Sequence, residues 1–157
     1  MSVSIKLEGM GSVQAVFREL ADEIGDKKAN SKILIPAVRE SMKPVLAKAR
    51  TDAPVDTGGL KRSLQVEARR PNRKDKRSKY IANTDTVISL VTTAPGKKLA
   101  KLGIKSDARA IAQEFGTARN PAHPYLRSAL ESQSTSVVNN LAGILARRID
   151  KYKKANL

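Results

Sequence analysis

Ala53-Pro54-Val55-Asp56-Thr57-Gly58-Gly59-Leu60-Lys61-Arg62-Ser63 stops one helix and starts the next element. Pro54 pushes Ala53 out of the helical region. Asp56 or Thr57 can accept backbone N–H bonds, and Gly58-Gly59 permits positive φ. Leu60 and Leu64 then return to the core. Upstream the apolar residues recur at helical spacing, and downstream they alternate.

Working back from the turn, Leu34, Val38, Met42, Val45, Leu46 and Ala49 form the apolar stripe of a helix over about 31–52. Pro36 is tolerable in a first turn, where its missing N–H has no partner. Pro44 falls inside the pattern, so a kink or break is expected there. Val13, Val16, Phe17, Leu20 and Ile24 predict an earlier helix over about 12–24, with Gly25 as its stop. Val3, Ile5 and Leu7 alternate, which reads as a short strand over 2–7.

Working forward, residues 64–68 alternate and 87–93 are rich in β-branched side chains, so both read as strands. A long basic loop from 69 to 79 joins them as a hairpin. A second basic stretch, 97–105, reads as a loop or short helix. From Pro124 a helix of about 25 residues follows, with Leu126, Leu130, Val137, Leu141, Ile144 or Leu145, and Arg148 marking one face. Its end carries Arg147, Arg148, Lys151, Lys153 and Lys154, cations that suit the negative end of the helix dipole. The expected class is α+β: a small antiparallel sheet packed against two N-terminal helices and one long C-terminal helix. One domain over 1–157 is expected, with a basic loop or insertion at about 69–107.

Composition bounds the chemistry. The 157 residues include no cysteine, so disulfides, thiolate metal sites and cysteine nucleophiles are excluded. No signal-peptide pattern or membrane-length apolar run is present, and a soluble cytoplasmic product is the expectation. Net charge is +15, and much of the excess lies between Leu60 and Ala110, in Arg69, Arg70, Arg73, Lys74, Lys76, Arg77 and their neighbours. Such a concentration attracts an anionic neighbour, or else forms a solvated loop that keeps the protein soluble. Aromatics are only 3%, which argues against base stacking along single-stranded nucleic acid.

No catalytic site is visible. His123 is the single histidine and has no companion for a metal site, and no nucleophile motif accompanies it. Gly96-Lys97 lacks the leading glycine and following Ser/Thr of a P-loop, and Thr57-Gly58-Gly59-Leu60-Lys61 lacks its spacing. Asp52 and Asp56 flank Pro54 in a turn, where aspartate is common for local capping. No enzyme, cofactor or metal is expected.

A second motif sharpens the reading: Glu114-Phe115-Gly116-Thr117, a Pro-rich loop, then His123-Pro124-Tyr125-Leu126 opening the last helix. With Ala53-Pro54, Asp56-Thr57-Gly58, Leu60-Lys61 and Ser63, this resembles the tail-completion, or neck, proteins of long-tailed bacteriophages, lambda gene product Z type. The resemblance covers most of the chain, apart from 69–105, which is distinctive only in its charge. It implies a strand at 108–115, where the residue pattern itself is ambiguous. It also implies a structural virion protein of the neck, assembled in the host cytoplasm, that completes the tail and joins it to the DNA-filled head. Its implied partners are itself as a homo-oligomeric ring, head-closure and tail-terminator proteins, and packaged double-stranded DNA through non-specific phosphate contacts, with no membrane.

On that view Asp56, Thr57, Gly58, Glu114, Gly116, His123 and Tyr125 either position subunit and partner contacts or only shape the monomer. Arg69, Arg70, Arg73, Lys74, Lys76 and Arg77 are candidates to face DNA or an acidic partner ring. The alternative is a basic nucleic-acid-binding module without a virion role, disfavoured by the scarcity of aromatics and the lack of any helix-turn-helix or zinc pattern.

Overall fold

Helix punctuation explains the observed architecture. A computed structural model describes residues 10–55, 57–104 and 109–156; the expected strand over 2–7 lies outside them. The fold is α+β, mostly helical with a two-stranded antiparallel sheet and a long C-terminal helix. The described residues divide into two compact units, one of 10–41, 68–90 and 135–156, the other of 42–55, 57–67, 91–104 and 109–134.

In the first unit, α1 spans Met10–Ile24. Gly25 ends it at φ 89°, a left-handed value that costs glycine nothing. The expected second helix is a series of segments. It begins as α2 (Asp26–Ala29), widens into a π turn (Asn30–Leu34) and resumes as α3 (Ile35–Ser41). The wide turn lies just before Pro36, whose ring cannot donate into a regular ladder. Leu20, Ile33, Ala37, Leu145 and Ile149 form the core here, flanked by Val13, Phe17, Ile24, Leu34, Leu141, Ile144 and Tyr152. Each fully buried Leu or Ile contributes about 1.5–3 kcal/mol of transfer free energy. Glu40 on α3 accepts hydrogen bonds from Arg148 Nε at 3.0 Å and Nη2 at 2.6 Å, and from Arg147. The Arg148 bonds, foremost, hold its carboxyl below the ordinary range.

The second unit opens where Pro44 breaks the series. Met42 caps the next segment, its carbonyl accepting from Leu46 N at 3.1 Å, and α4 runs over Lys43–Asp52 with Pro44 in its first turn. Ala53 is extended at ψ 133° before Pro54, as the proline requires. A short helix α5 (Gly59–Ser63) leads into β1 (Leu64–Arg69), which pairs with β2 (Ile88–Thr93). A two-stranded sheet leaves each strand an open edge. Two arginines reach β1: Arg50 donates to the Leu64 carbonyl at 2.8 Å, and Arg39 of the first unit to that unit's Ala68 carbonyl at 3.2 Å.

Next come α6 (Gly96–Lys101) and α7 (Arg109–Phe115). The strand expected at 108–115 is therefore corrected to helix over its described residues. Ala, Gln and Glu favour helix, Ile111 is the one β-branched residue, and Gly116 supplies the C-terminal stop. The last helix, α8 (Tyr125–Asn156), is longer than expected and starts one residue after Pro124. Its buried residues also differ: Tyr125 and Ala129 are buried, whereas Leu130 is 48% exposed.

Candidate functional site

Two arrangements follow from the sequence candidates. The first joins the 114–117 motif to the start of α8. Four backbone N–H groups at a helix start have no partner within the helix, and a carboxylate there also suits the positive dipole end. Glu114, only 6% exposed, supplies that carboxylate from the end of α7. Its Oε2 accepts from Leu126 N at 2.8 Å and its Oε1 from Arg127 N at 3.0 Å.

The loop between the two helices is folded to suit. Gly116 N donates to the Ala112 carbonyl at 2.8 Å and Thr117 N to Asn120 at 2.8 Å. Thr117 Oγ1 accepts from Arg119 N at 3.3 Å and Asn120 N at 3.1 Å. Gly116 sits at φ 76°, and a Cβ there would lie 2.8 Å from the Ala122 nitrogen. Only glycine fits. His123 is exposed, and its backbone N donates to the Gln113 carbonyl at 2.7 Å. The structure thus brings Glu114, Gly116, His123 and Tyr125 together through capping and backbone bonds.

The other turn candidates behave similarly. Asp56 lies outside the described residues. Gly58 caps α5 at φ 75°, and Thr57 Oγ1 accepts from Gly59 N at 3.4 Å.

The second arrangement is the basic loop, a self-capped turn. Asn72 Oδ1 accepts from Lys74 N at 2.8 Å and Asp75 N at 3.0 Å, and Asn72 N donates back to Asp75 Oδ2 at 2.6 Å. This reciprocal pattern is a capping box built on Asn-x-x-Asp, and it opens a 3-10 turn at Asp75–Arg77. Arg69 clasps the same carboxylate with two bonds, 2.5 and 3.1 Å. Those bonds, then the Asn72 N–H, hold the Asp75 carboxyl down to about 2.

The six basic candidates therefore separate. Arg69 is used inside the loop. Arg70 reaches the Lys27 carbonyl at 3.5 Å and Lys76 the Asn83 carbonyl at 3.3 Å. Arg73, Lys74 and Arg77 are exposed and have no side-chain partner among the described residues. Tyr80, 81% exposed, carries Lys79 Nζ 5.0 Å from its ring centroid.

Sequence reasoning missed the Asn72–Asp75 box, although its spacing was there to read. It also missed an uncovered apolar pair, Ile111 and Phe115, because nothing in sequence tells an exposed apolar residue from a core one. Among the described residues no group of three His, Asp or Glu side chains could hold a metal ion. No helix among them is long and apolar enough to cross a membrane.

Comparison with known protein families gives a match over most of the chain. Residues 16–116, more than half of the chain, match the family described as "Bacteriophage HK97-gp10, putative tail-component". The matched segment includes the turn at 53–63, the sheet, the basic loop and α7. No curated protein and no solved structure matches the chain.

Proposed function

Because the chain belongs to the HK97-gp10-like family of bacteriophage tail components, we propose that it completes the tail in the phage neck and joins it to the DNA-filled head. The protein is a structural component of the phage tail, works with other virion proteins and is not an enzyme. In the finer role it acts as one subunit of a ring that meets the head-closure and tail-terminator proteins.

The observation that carries this role is the locked basic turn. A neck encloses a channel through which the genome passes, and phosphate attraction there needs cations rather than base readers. Arg73, Lys74 and Arg77 are held out by a turn whose own acid, Asp75, is committed to Arg69 and Asn72. The capped start of α8 supports the role by giving the subunit a firm 114–127 corner.

The test is electron microscopy of lysates from a phage lacking this gene. Filled heads beside unattached tails are expected. Normal infectious particles would overturn the joining role and favour a basic nucleic-acid-binding protein instead.

A further inference from the structure

The second unit leaves an apolar surface uncovered. Ile111 and Phe115, one turn apart on α7, are 68% and 66% exposed. The Arg127 guanidinium lies 6.0 Å from the Phe115 ring centroid, and half-exposed Leu130 follows it three residues on. Single exposed apolar residues are ordinary, but two large ones side by side with a third nearby form a patch. The rim is cationic. Arg119 and Arg127 are exposed, and the acid of α7, Glu114, is turned inward to the α8 backbone. Glu131 is the one acid in the first ten residues of α8. An occupant needs an apolar anchor with carboxylates beside it.

The same chain carries such a helix. On α1, Val13, Phe17, Leu20 and Ile24 face the core. The outer side shows Ala15, Val16, Arg18, Glu19, Asp22 and Glu23, all exposed, with one cation against three acids, and Asp26 of α2 continues the acidic run. None of the four acids forms an ion pair with a described residue. Val16, Glu19 and Glu23 sit at i, i+3 and i+7, one stripe with an apolar head and an acidic tail. In a chain of net charge +15 this is the complement of the α7 rim.

We propose that the α7 surface receives α1 of a second copy of this chain. Val16 of the second copy lies on Ile111 and Phe115, and its Glu19 and Glu23 face Arg127 and Arg119. The contact rests on the ring reading above and names its surfaces. It joins two different patches, so each bound copy presents the other patch to the next, the heterologous contact that closes rings. An amphipathic helix laid on an apolar surface supplies affinity, and the charges supply register.

The absence of cysteine makes cross-linking specific. Particles from phage carrying the full chain as V16C/I111C, treated with a short thiol-reactive cross-linker, should give a ladder of linked copies. Particles carrying V16C or I111C alone should give monomer. A particle with several copies and no ladder would overturn this contact while leaving the ring intact. Dimers from either single variant would overturn it in favour of a symmetric contact. A particle with one copy would overturn both the ring and the contact. Charge reversal checks the register at exposed positions. E19K/E23K should lower incorporation into particles on the order of tenfold, and adding R119E/R127E should restore it. Restoration excludes simple misfolding, and failure to restore overturns the proposed pairing.

Discussion

Glu114 and Gly116 show how two residues of one short motif divide the work. The carboxylate satisfies two backbone donors at the start of α8, and the glycine supplies the left-handed turn that lets the chain return to it. Glu114→Ala would leave both N–H groups without their carboxylate in a part-buried corner. A loss of about 0.5–2 kcal/mol is expected from removing a helix cap, read as a lower urea midpoint with unchanged slope. An unchanged midpoint would mean that other groups satisfy this helix start. Gly116→Ala adds left-handed strain, about 1–2 kcal/mol, and a Cβ 2.8 Å from a backbone nitrogen that cannot swing aside. It should destabilise at least as much as the loss of the cap. Thermal unfolding of the two variants side by side gives the comparison.

At the scale of elements, the basic turn is the sharpest case. Like charges crowded over 69–79 would ordinarily spread the loop, yet the Asn72–Asp75 box and the Arg69 clasp hold it folded. Because the folded Asp75 carboxyl lies at about 2, below its ordinary 3.8, the clasp stabilises the fold fully above the ordinary value. That contribution fades as pH falls toward about 2. The protection factors of the Asn72, Lys74 and Asp75 amides, exchange measured against an unstructured chain at the same pH, should therefore hold from neutral to mildly acid pH and fall only below the ordinary carboxylate range. Asp75→Asn should abolish that dependence and speed tryptic cleavage after Arg73, Lys74 and Arg77. Cleavage at the wild-type rate would show that the turn does not need the clasp.

For the whole molecule, the charge field and the tail role meet in one experiment. Replacing Arg73, Lys74, Lys76 and Arg77 by glutamine removes exposed cations and no core contact, so the unfolding free energy should stay within about 0.5 kcal/mol of the parent. Head–tail joining should fall, and the defect should deepen at higher salt, where the remaining phosphate attraction is screened. Full phage yield from this variant would remove DNA or an acidic ring as the partner of the loop.

Local chemistry alone determined the helix stops at Gly25 and Pro54, where the break before Pro44 falls, the two strands and the basic loop between them, because prolines, glycines and β-branched runs act on their own backbone. The motif residues around 53–63 and 114–126 carried the phage resemblance by their identity and order alone. Only the tertiary structure decided the rest. Residues 109–115 became helix, since a short segment of mixed periodicity takes the conformation its neighbours and its Gly116 stop allow. Burial moved on α8 from Leu130 to Tyr125 and Ala129, because packing selects residues by what faces them as well as by hydrophobicity. The roles of Glu114 and Asp75 depend on backbone donors brought near by folding, from twelve residues away at Leu126 and from three at Asn72. A carboxylate's identity is written in the chain, but the group it will satisfy is set by which helix end or turn arrives beside it.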